Sequence, residues 1–579
     1  MLGVCQPSQA GYKEDMGFGL LLSELGGGMP TGSGVLVTQV EARTSYEPSG
    51  PFMPNTAEPQ FSGKRILKKT SDSVPGASSH ATTVGQLFYG NSSSLSPGVT
   101  EIHCYEANHY LTNGFLHYGY AYQPGYSFSP ADKSSPSRVA NHSWVGSAGP
   151  ETNSEILRRL DFLVQADQFI QVVAPANSTT NQALLISSFN SISVGRSDGF
   201  HQRGSVVVDS TYTEGRTKPD LVVPNSPTSY TAPLAASAVA LLVETGGDST
   251  LSRDPVEPHT TDRDGALILN AQRSEVVKAS LMAGANRVTH NGSFANIADY
   301  RLSPQNRSPN GLDKRFGAGQ LDLYHSYHII AAGEQNSAED QPSGGGLVGF
   351  YGWDLDPAFG GADGTNSVAS YHFSTDQNPR MLQASLVWNI QIRGGTWNNF
   401  NGQATLYDLD LFLEDLTDPQ RPWLVAASTS TGENTENLWV PLSPGRHYRL
   451  QVRPGQAQVF KQDYALAWRI TIPPDTDGDG MSDDWEVYHG FDYLNPGDGG
   501  LDADADGLTN AEEHSFGTDP QNPDTDGDGL TDGDEISMGS DPLDPSSPKL
   551  IAVPGMTKEA LLLALLGLLA VALRARNRS

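Results

Sequence analysis

Ser229 stands at the mouth of a run of small residues, Pro227-Thr228-Ser229-Tyr230-Thr231-Ala232-Pro233. The preceding KPDLVVP reads as a buried strand, and an Ala- and Val-rich helix is predicted to follow at once. A hydroxyl at a helix start lies near unpaired backbone N–H groups and the positive end of the helix dipole. That setting suits a nucleophile whose attack generates an oxyanion. A serine in the same place can also be a plain N-cap, the commoner role. A second set of reactive side chains recurs near the other end of the chain. Asp475, Asp477, Asp479, Asp483 and Glu486 put carboxylates at positions 1, 3, 5, 9 and 12 of a twelve-residue segment. Met481 offers a backbone carbonyl at position 7, and Gly480 allows a sharp turn at position 6. Oxygen donors so spaced suit a hard divalent cation.

The elements that must position these groups can be read upstream. Residues 34–41, GVLVTQVE, form a short buried strand ending in the acid Glu41. Residues 169–177, FIQVVAPAN, form another, ending at Asn177. His80 opens SHATTVG, whose Ala, Thr and Val suit a helix packed on a sheet.

KPDLVVP followed by T-S-x-x-A-P resembles the nucleophile region of the subtilisin-like serine proteases, usually KPDVVAPG and GTSMAAP. His80 in SHATTVG is similar to that family's H-G-T-H-V-A-G, and the strand ending in Glu41 to the one ending in its catalytic Asp. VVAPAN resembles the strand ending in its A-G-N. Acid, histidine, asparagine and serine stand in the family's order. Residues 139–146, 190–195, 274–285 and 316–322 resemble, in turn, its substrate-pocket strand, its I-A-V-G strand, its closing helix and its G-x-G turn. The resemblance implies Ser229 as nucleophile, His80 as general base, Glu41 as orienting acid and Asn177 as oxyanion donor. It also implies a mostly parallel α/β sheet flanked by helices, and a polypeptide substrate. The departures are Glu41 for Asp, Pro227 for the Gly before Thr-Ser, Thr83 and Leu234 for two His, and Ala176 for Gly. Each of the four implied roles keeps a competent side chain, so an active endopeptidase is expected; a catalytically inactive surface binding or adhesion protein on the same fold is the alternative.

The chain has 579 residues and a net charge of −30, distributed unevenly. Residues 475–548 hold 22 acids and no Lys or Arg, and the remainder carries 44 acids against 36 bases. An acidic run is usually solvated or disordered, but this one is regular. The loop pattern returns as Asp502, Asp504, Asp506, Leu508, Asn510 and Glu513, and again as Asp524, Asp526, Asp528, Leu530, Asp532 and Glu535. All three are EF-hand-type loops predicted to hold Ca2+. Their wording resembles the thrombospondin type 3 repeat, which implies a calcium-stiffened stalk whose folding energy comes largely from the ion.

Between these regions, short segments with alternating apolar residues and Gly/Pro/Asn turns predict an antiparallel β-sandwich. The expected division is a peptidase domain over 1–335, a linker over 336–345, the sandwich over 346–473, repeats over 474–548 and a tail over 549–579. The tail holds an apolar run, 560–573, too short for an ordinary membrane span, then Arg574, Arg576 and Arg578. With Val553-Pro554 it resembles the C-terminal sorting signals of Gram-negative bacteria. That implies export to the cell surface, outer membrane or exterior, a transient or permanent anchor, and a membrane sorting enzyme as partner. Residues 1–34 lack a basic segment followed by an apolar one, so a preceding leader and propeptide are expected. Cys5 and Cys104 could pair outside the cytoplasm. No basic stripe points to nucleic acid, and a monomer is expected.

Overall fold

The computed structural model describes residues 11–44, 50–70, 76–113, 115–116, 137–180, 184–255, 257–289, 297–339, 346–360, 367–393, 400, 402–455 and 460–547. The C-terminal tail with its expected sorting signal, and Cys5, lie outside them. Cys104 is a buried free thiol. Among the described residues, no helix is long and apolar enough to cross a membrane.

The first region is a seven-stranded parallel sheet. Its strands are β1 (Val37–Glu41), β2 (Arg65–Lys68), β3 (Glu101–Glu106), β4 (Val139–His142), β5 (Ile170–Val173), β6 (Ile192–Arg196) and β7 (Leu221–Val223), in the order β2-β3-β1-β4-β5-β6-β7. Apolar runs such as Ile170–Val173 and Leu221–Val223 are wholly buried, as strands covered on both faces must be. From β1 the chain goes to the edge strand β2, comes back to β3 beside β1, and then crosses to lay β4 on the other side of β1. Open parallel sheets bind ligands at the carboxyl ends of the strands beside such a reversal. Glu41 ends the strand at that point.

The helix Thr228–Thr245 is buried on nearly every side, with Ala232, Ala235, Ala236, Ala238, Val239 and Ala240 inaccessible to solvent. Its small side chains let it pack closely against the sheet and the helix Ser79–Tyr89. Ser237 is one of its buried polar residues. Its hydroxyl oxygen accepts the Leu95 and Ser96 N–H groups, each at 2.8 Å.

The sandwich has two antiparallel sheets. One is ordered Ala338–Glu339, Ala369–Ser374, His447–Pro454, Leu409–Asp415, Trp423–Ser428; the other Tyr351–Phe359, Gln462–Thr471, Arg380–Val387, Thr435–Leu442. Trp388, Trp468, Tyr371, Tyr464 and Leu411 belong to the core between them. The four-stranded sheet also contributes Trp353, Leu355, Val387, Ala465 and Ala467 to the core of the first region, so the two regions share a continuous apolar interior.

The acidic repeats do not stand clear as a free stalk. Val487 and Tyr493 of the first repeat pack with Met381 and Trp439 of the sandwich and Val288 and Ala298 of the first region. Trp439 Nε1 donates to Asp484 Oδ1 at 2.9 Å, and Arg446 pairs with Asp541. A cavity of about 250 Å³ lies between sandwich and repeats, lined in part by Trp423, Tyr448, Trp485 and His514. The sequence could not show this docking, because it depends on apolar residues spread over three regions.

Removing the Ser237 hydroxyl leaves two buried N–H groups without an acceptor. Ser237→Ala is expected to cost about 2–4 kcal/mol, read as a lowered urea midpoint.

Candidate functional site

Glu41, His80, Asn177 and Ser229 come from four different elements. Glu41 ends β1, His80 is the second residue of the helix Ser79–Tyr89, Asn177 follows β5, and Ser229 is the second residue of the helix Thr228–Thr245. The His80 helix is started by Ser78, whose side chain accepts the Ala81 N–H, a serine N-cap.

Glu41 and His80 form the tightest pair. His80 Nδ1 lies 3.0 Å from Glu41 Oε2, with Glu41 2% exposed and the imidazole 40% exposed. The other Glu41 oxygen accepts from Gln39 Nε2 at 2.9 Å. Gln39 Nε2 also donates to the Ala81 carbonyl at 2.8 Å, and Tyr89 OH donates to Gln39 Oε1 at 2.5 Å. Gln39 thus fixes the carboxylate to the first turn of the helix that bears His80. It had no chemical signature in the sequence; only the two-residue offset that puts it on the Glu41 face of β1 could have drawn notice.

Burial pushes the Glu41 carboxyl up, opposed by its hydrogen bonds to His80 and Gln39 and by the His80 charge. The hydrogen bond to Glu41 raises the His80 imidazole, opposed by burial. A carboxylate on Nδ1 fixes the tautomer and leaves Nε2 to face outward as a proton acceptor. The longer glutamate side chain therefore still reaches the imidazole.

The Ser229 end is organised by Thr228. Its N–H and Oγ1 donate to Asn177 Oδ1 at 2.7 and 2.9 Å, and Oγ1 also lies 2.8 Å from the Pro175 carbonyl. With Oδ1 so committed, the Asn177 amide nitrogen is the group left to donate into the site. Ser229 is 8% exposed, and its hydroxyl makes no hydrogen bond among the described residues. Contacts between nucleophile and base are often long until substrate arrives. Pro227 takes the N-cap position in extended backbone at φ −75°; its missing N–H is one the helix start would not use.

The acidic loops converge in part as their spacing predicts. Ligand oxygens of Asp502, Asp504 and Asp506 lie within 4.8 Å of one another, as do those of Asp524, Asp526 and Asp528. In the first loop the converging set is Asp477, Asp479 and Glu486, joined by Asp498 from beyond the loop. Asp475 instead accepts the Gly478 and Gly480 N–H groups. The residues at position 9 also turn aside. Asp483 accepts from Thr476 N and Oγ1, Asp532 from Thr525 N and Oγ1, and Asn510 Nδ2 donates to the Asp498 carbonyl. The N–H groups of Met481, Leu508 and Leu530 donate to Asp479, Asp506 and Asp528, which tightens each turn.

Glu486 and Glu535 are fully buried, and neither oxygen of either carboxylate has a hydrogen-bond partner. A buried carboxylate without a donor is costly unless a cation meets it. This donor set, all oxygen and strongly anionic, fits calcium.

Without a cation, burial and the neighbouring aspartates push Glu486 to about 9, Glu513 to about 8 and Glu535 to about 7. An acid whose folded value is raised stabilises the fold below its unfolded value, and that stability is lost as pH rises through the folded one. Chelated protein is therefore expected to melt progressively lower between pH 5 and pH 9, with added calcium abolishing the loss. Thermal unfolding followed by tryptophan fluorescence checks this.

Residues 475–492, 502–523 and 524–545 match the family model of the bacterial TSP3 repeat. Among solved structures the chain is similar to the prenylagaramide maturation protease PagA, at 14% identity and TM-score 0.32, over 54% of this chain and 98% of that one. It is similar to the patellamide maturation protease PatA at 13% identity and TM-score 0.32, over 52% and 98%. A cold-adapted subtilisin-like serine proteinase matches at 18% identity and TM-score 0.23, over 37% and 77%. No curated protein matches. The chain joins an α/β region, a seven-stranded parallel sheet with flanking helices, to an antiparallel β-sandwich and bacterial TSP3 repeats.

Proposed function

We propose that this protein is a serine endopeptidase exported to the cell surface or beyond, with Ser229 as nucleophile, His80 as general base, Glu41 as orienting acid and Asn177 as oxyanion donor. The observation that carries the reading is the buried Glu41 carboxylate on His80 Nδ1, 3.0 Å away, at the carboxyl edge of the parallel sheet. In this reading His80 takes the Ser229 proton as Oγ attacks a peptide carbonyl. The Asn177 amide and the Ser229 backbone N–H hold the oxyanion. His80 then protonates the leaving amine, and water hydrolyses the acyl-enzyme by the same route. Glu41 stays ionised and stabilises the imidazolium.

The same proposal divides the chain into a peptidase domain (1–335), a sandwich (346–473) and calcium-binding repeats (474–548). Asp477, Asp479, Asp502, Asp504, Asp506, Asp524, Asp526, Asp528 and the position-12 glutamates would hold the ions. Calcium here neutralises clustered carboxylates and supplies folding energy; it takes no part in peptide cleavage. A sorted tail accords with export.

Two departures favour the second reading, an inactive binding protein: Pro227 and Ala176 stand where the resembled family has glycines. A fluorophosphonate probe separates the two. Labelling and cleavage of a denatured protein that vanish in Ser229→Ala establish the enzyme. A folded wild-type chain that takes no probe contradicts it. Glu41→Gln is expected to slow cleavage by about 10³–10⁴-fold, mainly in kcat.

A further inference from the structure

The first acidic loop differs from the other two in what reaches it. Asp498 lies beyond its last position, in the segment joining the helix Asp483–His489 to the second loop. Yet its carboxylate shares the 4.8 Å cluster with Asp477, Asp479 and Glu486. The second and third clusters contain aspartates of their own loops only.

Independent observations point to a cation at this cluster. Glu486 is fully buried with both oxygens unpartnered. Asp498 is 7% exposed; its Oδ1 is unpartnered, while Oδ2 accepts the Asp492 N–H at 3.3 Å. Four carboxylates held this close repel one another unless positive charge lies between them.

The backbone holds Asp498 in place from both sides. The Gly499 N–H donates to Asp479 Oδ2 at 2.9 Å, and a Cβ at 499 would fall 2.5 Å from that same oxygen, so the approach needs glycine. On the other side, the Asp498 carbonyl accepts from Asn510 Nδ2 at 2.8 Å, and the Ala511 N–H donates to the Gly499 carbonyl at 3.1 Å. Both donors open the helix of the second repeat.

We propose that Asp498 is a direct ligand of a calcium-class cation in the first loop, so that this site is closed from outside its own loop and locks the second repeat onto the first. The proposal rests on the reading of the repeats as calcium sites. Asp498 takes the place that Asp475 gives up, so the first site keeps as many carboxylates as the other two have with their position-12 glutamates.

Trp485 precedes Glu486, and neither 502–513 nor 524–535 contains an aromatic residue. The Trp485 ring also lies 5.1 Å from that of His514, beside Glu513, so tryptophan-sensitised terbium luminescence of the full chain reports on the first two sites. Asp498→Asn is expected to raise the half-saturating terbium concentration about tenfold or more. Wild-type affinity in that variant overturns the proposal. A wild-type chain that binds neither terbium nor calcium overturns the calcium reading and this proposal with it. Should the variant misfold by circular dichroism, terbium anomalous scattering from wild-type crystals decides instead. A peak about 2.4 Å from Asp498 supports the assignment, and a peak that leaves Asp498 outside the coordination sphere refutes it.

Discussion

A buried negative charge at the end of the central strand sets the terms for everything around it. Glu41 is almost wholly enclosed, and an enclosed carboxylate persists only where donors or cations meet it. Gln39 supplies one donor and His80 the other. Gln39 is in turn held by Tyr89 and bridges to the Ala81 carbonyl, so the strand and the His80 helix are locked in one relative position. The neighbouring Glu106, paired in register with Glu41, is answered separately by Arg43 at 3.7 Å and by the His109 N–H at 2.9 Å. Two acids side by side are tolerated because each has its own partners.

The sandwich is part of how the first region is built. The helix Ser274–Gly284 ends with carbonyls that no residue of its own turn can satisfy. Arg469, from the last sandwich strand, donates to the carbonyls of Ala283 and Ala285 at 3.1 Å each, and Gln383 Nε2 adds a 3.1 Å bond to Ala285. At the far end, Arg273 pairs with Asp463. Asn190 and Ile390 exchange hydrogen bonds at 2.8 and 3.2 Å. The first repeat continues the chain of contacts through Asp484 and Trp439. Changes in the repeats therefore have a short physical route to the first region.

Much of this was legible in the sequence, for identifiable reasons. Glu41 stood at the end of an apolar run, His80 and Ser229 at the starts of helices, and the acids at fixed intervals; each is a local pattern. Gln39 escaped because an amide one pleat away from an acid has no signature until the fold turns both to one face. Thr228 read as a neighbour of the nucleophile, yet it ties the serine helix to Asn177. Asp498 escaped because the twelve-residue rule stops at Glu486. The turning aside of Asp483 and Asp532 toward threonines, and the docking of the repeats on the sandwich, are tertiary outcomes that no spacing encodes.

In the proposed site Glu41 holds and polarises His80. Nuclear magnetic resonance titration of the His80 ring in wild type and in Glu41→Gln addresses this directly. The hydrogen bond from the carboxylate raises the imidazole above its ordinary value, so its loss must lower the midpoint. In Glu41→Gln, His80 is expected to titrate clearly below its wild-type midpoint. Identical midpoints in the two proteins would mean that the carboxylate does not act on the imidazole, and the proposed triad would be contradicted.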